Sequence, residues 1–275
     1  MKIGIIGLGL MGGSLAIAFK EVLSDLTIIG YDHNKNHEKE AKELGFIDHL
    51  GSFDDIKKCD VIILSIPVDG IIATLIELKD INCDTTIIDL GSTKDKIIKN
   101  TPQEIRSNLV AAHPMAGTEK FGPSAALADL YRGKVVVFAD IADSGDIHKD
   151  RAEELFTKIG MKIVYMNAKE HDLDAAYISH LPHAISFALS NSVLKQEDPK
   201  SILALAGGGF RDMSRIAKSS PNMWVDVFKQ NRSNLLVTLD EFQKELKDLE
   251  KMVKDEDWDS LYKFMQSANT LHKIL

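Results

Sequence analysis

The chain has 275 residues, of which 44% are hydrophobic and 27% charged, and a formal net charge of −8. That length admits one large or two ordinary domains, with a good core and no disorder signal. The acidic balance argues against a nucleic-acid partner, which needs a clustered basic face, and no apolar run approaches membrane-spanning length.

Cys59 and Cys83 form neither a C-x-x-C pair nor a ligand cluster with nearby histidines, so buried thiols in a reducing, cytoplasmic compartment and no metal are expected. The apolar start, Ile3 to Leu10, is broken by glycines and lacks a basic leader, which is not the pattern of a signal peptide.

Lys2 to Ile6 reads as a buried strand running into Gly7-Leu8-Gly9-Leu10-Met11-Gly12, after which Met11, Leu15, Phe19 and Val22 fall at helical spacing. In such a strand, glycine turn and helix, Gly7 permits the tight turn, Gly9 lets the backbone approach a pyrophosphate, and Gly12 lets helix and strand pack closely. The helix start, with Leu10 and Met11, offers free N–H groups to the phosphates. A second strand, Thr27 to Tyr31, ends at Asp32, 20 residues past Gly12, the spacing of a carboxylate that binds the adenosine ribose. Its charge disfavours a 2′-phosphate, and no arginine follows in His33-Asn34-Lys35, so NAD is expected over NADP.

A polar helix over Lys35 to Leu44 and strands at Val61 to Leu64, Thr86 to Leu90 and Asn108 to Ala112 continue the alternation, which implies an α/β, Rossmann-like doubly wound parallel sheet. Thr101-Pro102-Gln103-Glu104 has the form of a capping box with proline at the first helical position. In open α/β sheets ligands bind beyond the carboxyl ends of the strands. Ser65-Ile66-Pro67 should therefore pass near the ribose or pyrophosphate and Gly91-Ser92-Thr93-Lys94 near the nicotinamide. Ser92 could equally cap a helix over Thr93 to Ile98. His113 reads as the last residue of its strand, because Pro114 biases it toward extended angles, and its imidazole should face the cleft. A strand over Lys134 to Ala139, a helix from a cap at Asp146 to about Ile159, and a strand over Lys162 to Met166 close the unit.

From Asn167 strand signals vanish, which places a domain boundary there: residues 1–166 form the nucleotide-binding part and 167–275 a helical part. Asp198-Pro199 and Ser220-Pro221 are helix starts, and Gly207 is expected to terminate the helix begun at Pro199. Leu235, Leu239, Phe242, Leu246, Leu249 and Val253 make a heptad-like seam on one long helix, which suits either an internal core or a homodimer interface. Ser179 and His183 share a helix face, as do Arg211 and Arg215, which could reach one anion. Gly207-Gly208-Gly209 could let a ligand approach or serve only as a linker.

Taken together, G-L-G-L-M-G-G-S-L at Gly7 to Leu15, G-S-T-K at Gly91 to Lys94, H-P-M-A-G-T-E at His113 to Glu119, S-H-L-P-H at Ser179 to His183 and G-G-G-F-R-D-M-S-R-I-A at Gly207 to Ala217 resemble the prephenate dehydrogenase family of tyrosine biosynthesis. The length leaves no room for an appended mutase or regulatory domain, so the resemblance is to the monofunctional form. It implies NAD-dependent oxidative decarboxylation of prephenate to 4-hydroxyphenylpyruvate, with tyrosine as a feedback inhibitor, while the seam on the long helix is what predicts a homodimer. It also implies His113 as acceptor of the substrate hydroxyl proton, Ser92 as the residue that orients His113 and contacts the nicotinamide, and Arg215 and His183 as substrate contacts. Glu119 and Gly209 are implied at the same pocket, with Arg211 and Trp224 as weaker candidates. Prephenate and arogenate are not separated by these motifs. A β-hydroxyacid-type dehydrogenase, which would use a helical lysine after a glycine motif, and an NAD-sensing protein without turnover are the other readings.

Overall fold

A computed structural model describes residues 1–274. Leu275, the last residue of the expected helical part, lies outside the described residues. Eight strands form one sheet: β1 Lys2–Ile6, β2 Thr27–Tyr31, β3 His49–Leu50, β4 Val61–Leu64, β5 Thr86–Asp89, β6 Leu109–Pro114, β7 Val135–Ala139 and β8 Lys162–Met166. Their spatial order is β3-β2-β1-β4-β5-β6-β7-β8. Strands β1, β4, β5 and β6 are apolar and almost wholly buried, as expected for strands covered on both faces by helices. The order reverses at β1, which pairs on one side with β2 and on the other with β4. The crevice at their carboxyl ends is where an open α/β sheet binds its ligand.

One expectation about the sheet is corrected. It is not wholly parallel, because β7 runs antiparallel to β6, with His113 opposite Val137 and Pro114 opposite Val136. The reason is local: residues 115–134 contain a single short 3₁₀ turn, Pro123–Ala125, and no crossover helix, so the chain doubles back beside the strand it has just left.

Three expected caps also differ. The Thr101 hydroxyl donates back to the Ile97 carbonyl at 2.8 Å, so it closes the preceding helix Asp95–Lys99 and only a 3₁₀ turn, Gln103–Ile105, follows. The cap of helix Asp146–Lys158 is the extended Gly145, with Asp146 in the first turn, where its charge faces the positive helix end. Gly207 has a negative φ of −82°, not the left-handed angle of a terminating glycine. The helix Pro199–Ala204 ends before it, and Gly207 opens the next helix, Gly208–Arg215.

The chain divides into two compact units, Met1–Asn231 and Arg232–Leu275. Residues 167–231, expected with the helical part, belong to the first of these. The second contains the helix Arg232–Lys254 that carries the heptad-like seam, and the helix Trp258–Ala268 capped by the Asp257 carboxylate on the Ser260 N–H at 3.0 Å. Of the six seam residues only Leu235 is buried in the single chain, while Leu246 and Val253 remain nearly half exposed. Among the described residues no helix is long and apolar enough to cross a membrane.

Candidate active site

The glycine turn has the geometry its three positions require. Gly7 sits at a φ of +94°, and a Cβ there would lie 2.2 Å from the Ser65 carbonyl oxygen, so the ends of β1 and β4 touch only because it has no side chain. A Cβ on Gly12 would lie 2.0 Å from the Gly7 carbonyl oxygen, which fixes how closely the helix Leu10–Val22 packs on β1. A Cβ on Gly9 would meet nothing within 4 Å. The middle glycine therefore lines open space at a helix N-terminus, where a pyrophosphate fits. Leu10 and Met11 form the first turn of that helix, and the Met11 carbonyl is fastened by the Tyr131 hydroxyl at 2.7 Å.

Asp32 is buried just past β2. Its carboxylate accepts the Leu8 N–H at 2.9 Å and the Asn34 N–H at 2.8 Å, which ties the glycine turn to β2 and leaves lone pairs for ribose hydroxyls. Lys35, the nearest candidate to neutralise a 2′-phosphate, has its ammonium on both oxygens of Glu38 at 2.9 Å. Ser65 lies partly buried against Gly7, and Pro67 occupies the cap position of the helix Val68–Glu77. Open space at Gly9, the helix N-terminus and the Asp32 carboxylate are the features that would hold a dinucleotide.

His113 stands at the carboxyl end of β6, two strands from β4. Its Nδ1 lies 2.7 Å from Nε2 of His171, and His171 Nδ1 lies 2.9 Å from Oδ1 of Asp172. The Asp172 carboxylate also accepts the backbone N–H groups of Lys94, at 2.7 Å, and Asp95, at 3.0 Å. Beneath His113, the buried Lys94 ammonium bonds the Asp89 carboxylate and the Ala112 carbonyl oxygen, so the last residue before His113 is held by a charge. Burial pushes the Asp89 carboxyl up, opposed by Lys94 and by the Gly91 N–H at 3.0 Å. Burial first, then the neighbouring His171, Lys94 and His180, holds His113 well below the ordinary imidazole range, so its ring is neutral at physiological pH.

The helical residues meet this cluster through a continuous set of contacts. Asn231 donates to the Asp172 carbonyl at 2.6 Å and lies 3.1 Å from His180 Nδ1. Trp224, on the helix Pro221–Gln230, packs edge-on to His180 and stacks on His183, with ring centroids 3.6 Å apart and planes 23° apart. The run through Ser179 to His183 is helical, with one wider π turn over Ala176–His180 between the helices Ala168–Ala175 and Leu181–Leu194. Pro182 accounts for it: the ring removes one helical N–H and crowds the carbonyl four residues back, and a wider turn relieves both. His183 Nδ1 donates to the Ser179 carbonyl at 2.9 Å, which leaves Nε2 as the ring's acceptor. Arg215 ends the helix Gly208–Arg215 with an exposed guanidinium; burial is the main cause holding His183 below the ordinary imidazole range, the Ser179 bond opposes it, and the Arg215 charge adds a smaller push in the same direction as burial.

Of the expected site residues, His113, His183 and Trp224 thus stand within one chain of contacts, with Arg215 electrostatically coupled to it. Ser92 lies partly buried just after β5 and makes no hydrogen bond to His113, whose Nδ1 is taken by His171. Glu119 is partly buried in the loop after β6, and Gly209 is exposed in the first turn of its helix with open space beside it. Sequence reasoning missed His171, Asp172, Asp89 and Asn231, and gave no role to Lys94 or His180. Lys94 lay within a motif already singled out, and a charged side chain after an apolar strand was the available signal.

Two family models match the chain: the prephenate dehydrogenase nucleotide-binding domain over residues 15–165 and the prephenate dehydrogenase dimerization domain over residues 167–267. The chain belongs to the prephenate dehydrogenase family. It is 32% identical to a cyclohexadienyl dehydrogenase of Zymomonas mobilis, over 97% of this chain and 93% of that one. It is also 32% identical to a prephenate dehydrogenase of Bacillus subtilis, over 95% of this chain and 72% of that one. Among solved structures, the prephenate dehydrogenase of A. aeolicus in complex with hydroxyphenyl propionate and NAD+ superposes with a TM-score of 0.92 at 30% identity, covering 99% of this chain and 97% of that one. The chain is accordingly an NAD-dependent oxidoreductase whose residues 167–267 correspond to the family's dimerisation domain.

Proposed function

We propose that this enzyme oxidises and decarboxylates prephenate to 4-hydroxyphenylpyruvate and carbon dioxide, with His113 as the acceptor of the ring hydroxyl proton. The observation that carries this reading is the placement of His113 at a strand's carboxyl end with its Nδ1 already occupied by His171, 2.7 Å away; burial, which disfavours the charged ring, agrees with it. Such a ring can offer its other nitrogen to a hydroxyl. NAD, when bound, supplies the two-electron acceptor for the carbon bearing that hydroxyl. Loss of the ring carboxylate makes the ring aromatic, which draws the reaction forward. Arg215 binds a substrate carboxylate as a fork-shaped donor, and His183, held flat by Trp224, presents Nε2 to the same molecule. Glu119 and Gly209 border the pocket, and Ser92 contacts the nicotinamide side.

We place the working boundary near residue 166, where the two family models meet. The exposed seam on Arg232–Lys254 supports a homodimer, and the same reading puts the enzyme in the cytoplasm, subject to inhibition by tyrosine. The Zymomonas relative, a cyclohexadienyl dehydrogenase, supports a second reading in which arogenate is also accepted. A steady-state assay of prephenate and arogenate, each with NAD and with NADP and with tyrosine added, distinguishes these outcomes. Prephenate with NAD is expected to give the highest kcat/KM, and no rise in NADH absorbance with either substrate would overturn the function.

A further inference from the structure

We propose that Asp172 and His171 are positioning residues that form a two-histidine proton relay: they fix His113 with its proton on Nδ1 and its Nε2 lone pair toward the substrate, and His171 receives the displaced proton during turnover. The inference rests on the reading of His113 as the proton acceptor and follows from hydrogen-bond roles taken in order.

The Asp172 carboxylate accepts two backbone N–H groups, one on each oxygen, so it is the acceptor in its contact with His171 as well. The His171 nitrogen 2.9 Å away, Nδ1, must therefore carry a proton. In a neutral His171 ring the other nitrogen, Nε2, then accepts, and its partner 2.7 Å away, Nδ1 of His113, must donate. His113 Nε2 is left as a bare lone pair. The two rings meet edge to face, at 78° between planes with centroids 5.0 Å apart, so the contact is made through the nitrogens and the rings do not stack.

This arrangement also answers an electrostatic difficulty. A positive charge on His113 would sit in a desolvating wall beside His171, Lys94 and His180. Passing the Nδ1 proton on as Nε2 gains one moves the charge to His171, directly against the Asp172 carboxylate. The balance closes without another reactant. The substrate O–H proton goes to His113 Nε2 while the Nδ1 proton goes to His171 Nε2, and two electrons and the carbon-bound hydrogen pass to NAD. The carbon–carboxylate bond then breaks, its electron pair completes the aromatic ring, and the proton returns through His113 to the phenolate oxygen.

The test is nitrogen-15 NMR of the histidine side chains in the whole enzyme, together with the kinetics of His171→Gln and Asp172→Asn. The spectra are expected to show His113 and His171 both in the Nδ1–H form in the resting enzyme. Glutamine at 171 can still accept the His113 proton through its side-chain oxygen but cannot carry it away. His171→Gln should therefore preserve the tautomer of His113 and the affinity for NAD, measured by calorimetry, and yet lower kcat by ~10²-fold. Asp172→Asn should lower kcat comparably and shift His113 toward the Nε2–H form. An Nε2–H form of His113 in the wild-type enzyme, or wild-type turnover in His171→Gln, overturns the relay. Wild-type turnover in His113→Asn would instead overturn the acceptor reading itself, whatever the spectra show.

Discussion

The Asp172 carboxylate accepts the backbone N–H of Lys94 at 2.7 Å, across 78 residues of sequence. One side chain from the first helix after the sheet thereby caps the turn that follows β5 and, through His171, orients the imidazole at the end of β6. The polar cluster around His113 is built by this long-range cap.

His113→Asn should lower kcat by at least a hundredfold, about the low end for loss of a general base, with the dissociation constant for NAD within twofold of wild type. Near-normal turnover by the variant would remove His113 from the chemistry.

The acid limb of kcat/KM should lie well below pH 6.5. That parameter reports the free enzyme, whose His113 resists protonation because burial disfavours the charged ring. Proton uptake abolishes the acceptor, so the rate falls on the acid side. A limb at or above pH 6.5 would show that the ring is solvated.

Stability should follow the same sign. His113 is lowered and His180 is pushed down to about 4, both mainly by burial. Between the folded and unfolded values the unfolded chain binds more protons, so this contribution is complete above about pH 6.5 and is lost as pH falls toward 4. Urea midpoints at pH 7.5 and 4.5 should fall with acid in the wild-type enzyme and fall less in His180→Gln.

Arg215→Ala should raise KM for the substrate roughly 10- to 100-fold, the equivalent of a charge-assisted bond of ~1.5–3 kcal/mol, and leave NAD binding unchanged. A matched loss of NAD affinity in calorimetry would place the guanidinium on the cofactor.

Lys94→Met should destabilise the fold by ~3–5 kcal/mol, because it strands the Asp89 carboxylate in a site where both partners are fully buried. Denaturant unfolding measures this directly, and Gly9→Ala makes a useful contrast. A methyl on Gly9 meets nothing and should leave the unfolding midpoint unchanged while weakening NAD, whereas Gly12→Ala collides with the Gly7 carbonyl and should reduce folded yield.

Local pattern by itself determined the strands β1, β2, β4 and β8, the glycine turn, Asp32, the helix that carries the seam, and His113 at a strand end. Each of these is set within a few residues by apolar runs, by glycine's freedom or by proline's restriction, and such constraints survive without knowledge of the fold. The tertiary structure alone decided who partners His113. Ser92 is the partner the resemblance implies, but the nitrogen went to His171, 58 residues downstream of His113, because the helix Ala168–Ala175 returns across the ends of β5 and β6. It likewise decided that Asp172 would cap Lys94, that Lys94 would be buried on Asp89, and that β7 would reverse. Hydrogen bonds between distant residues leave no periodicity to read, since what selects them is the cost of burying an unsatisfied polar group once the sheet has closed.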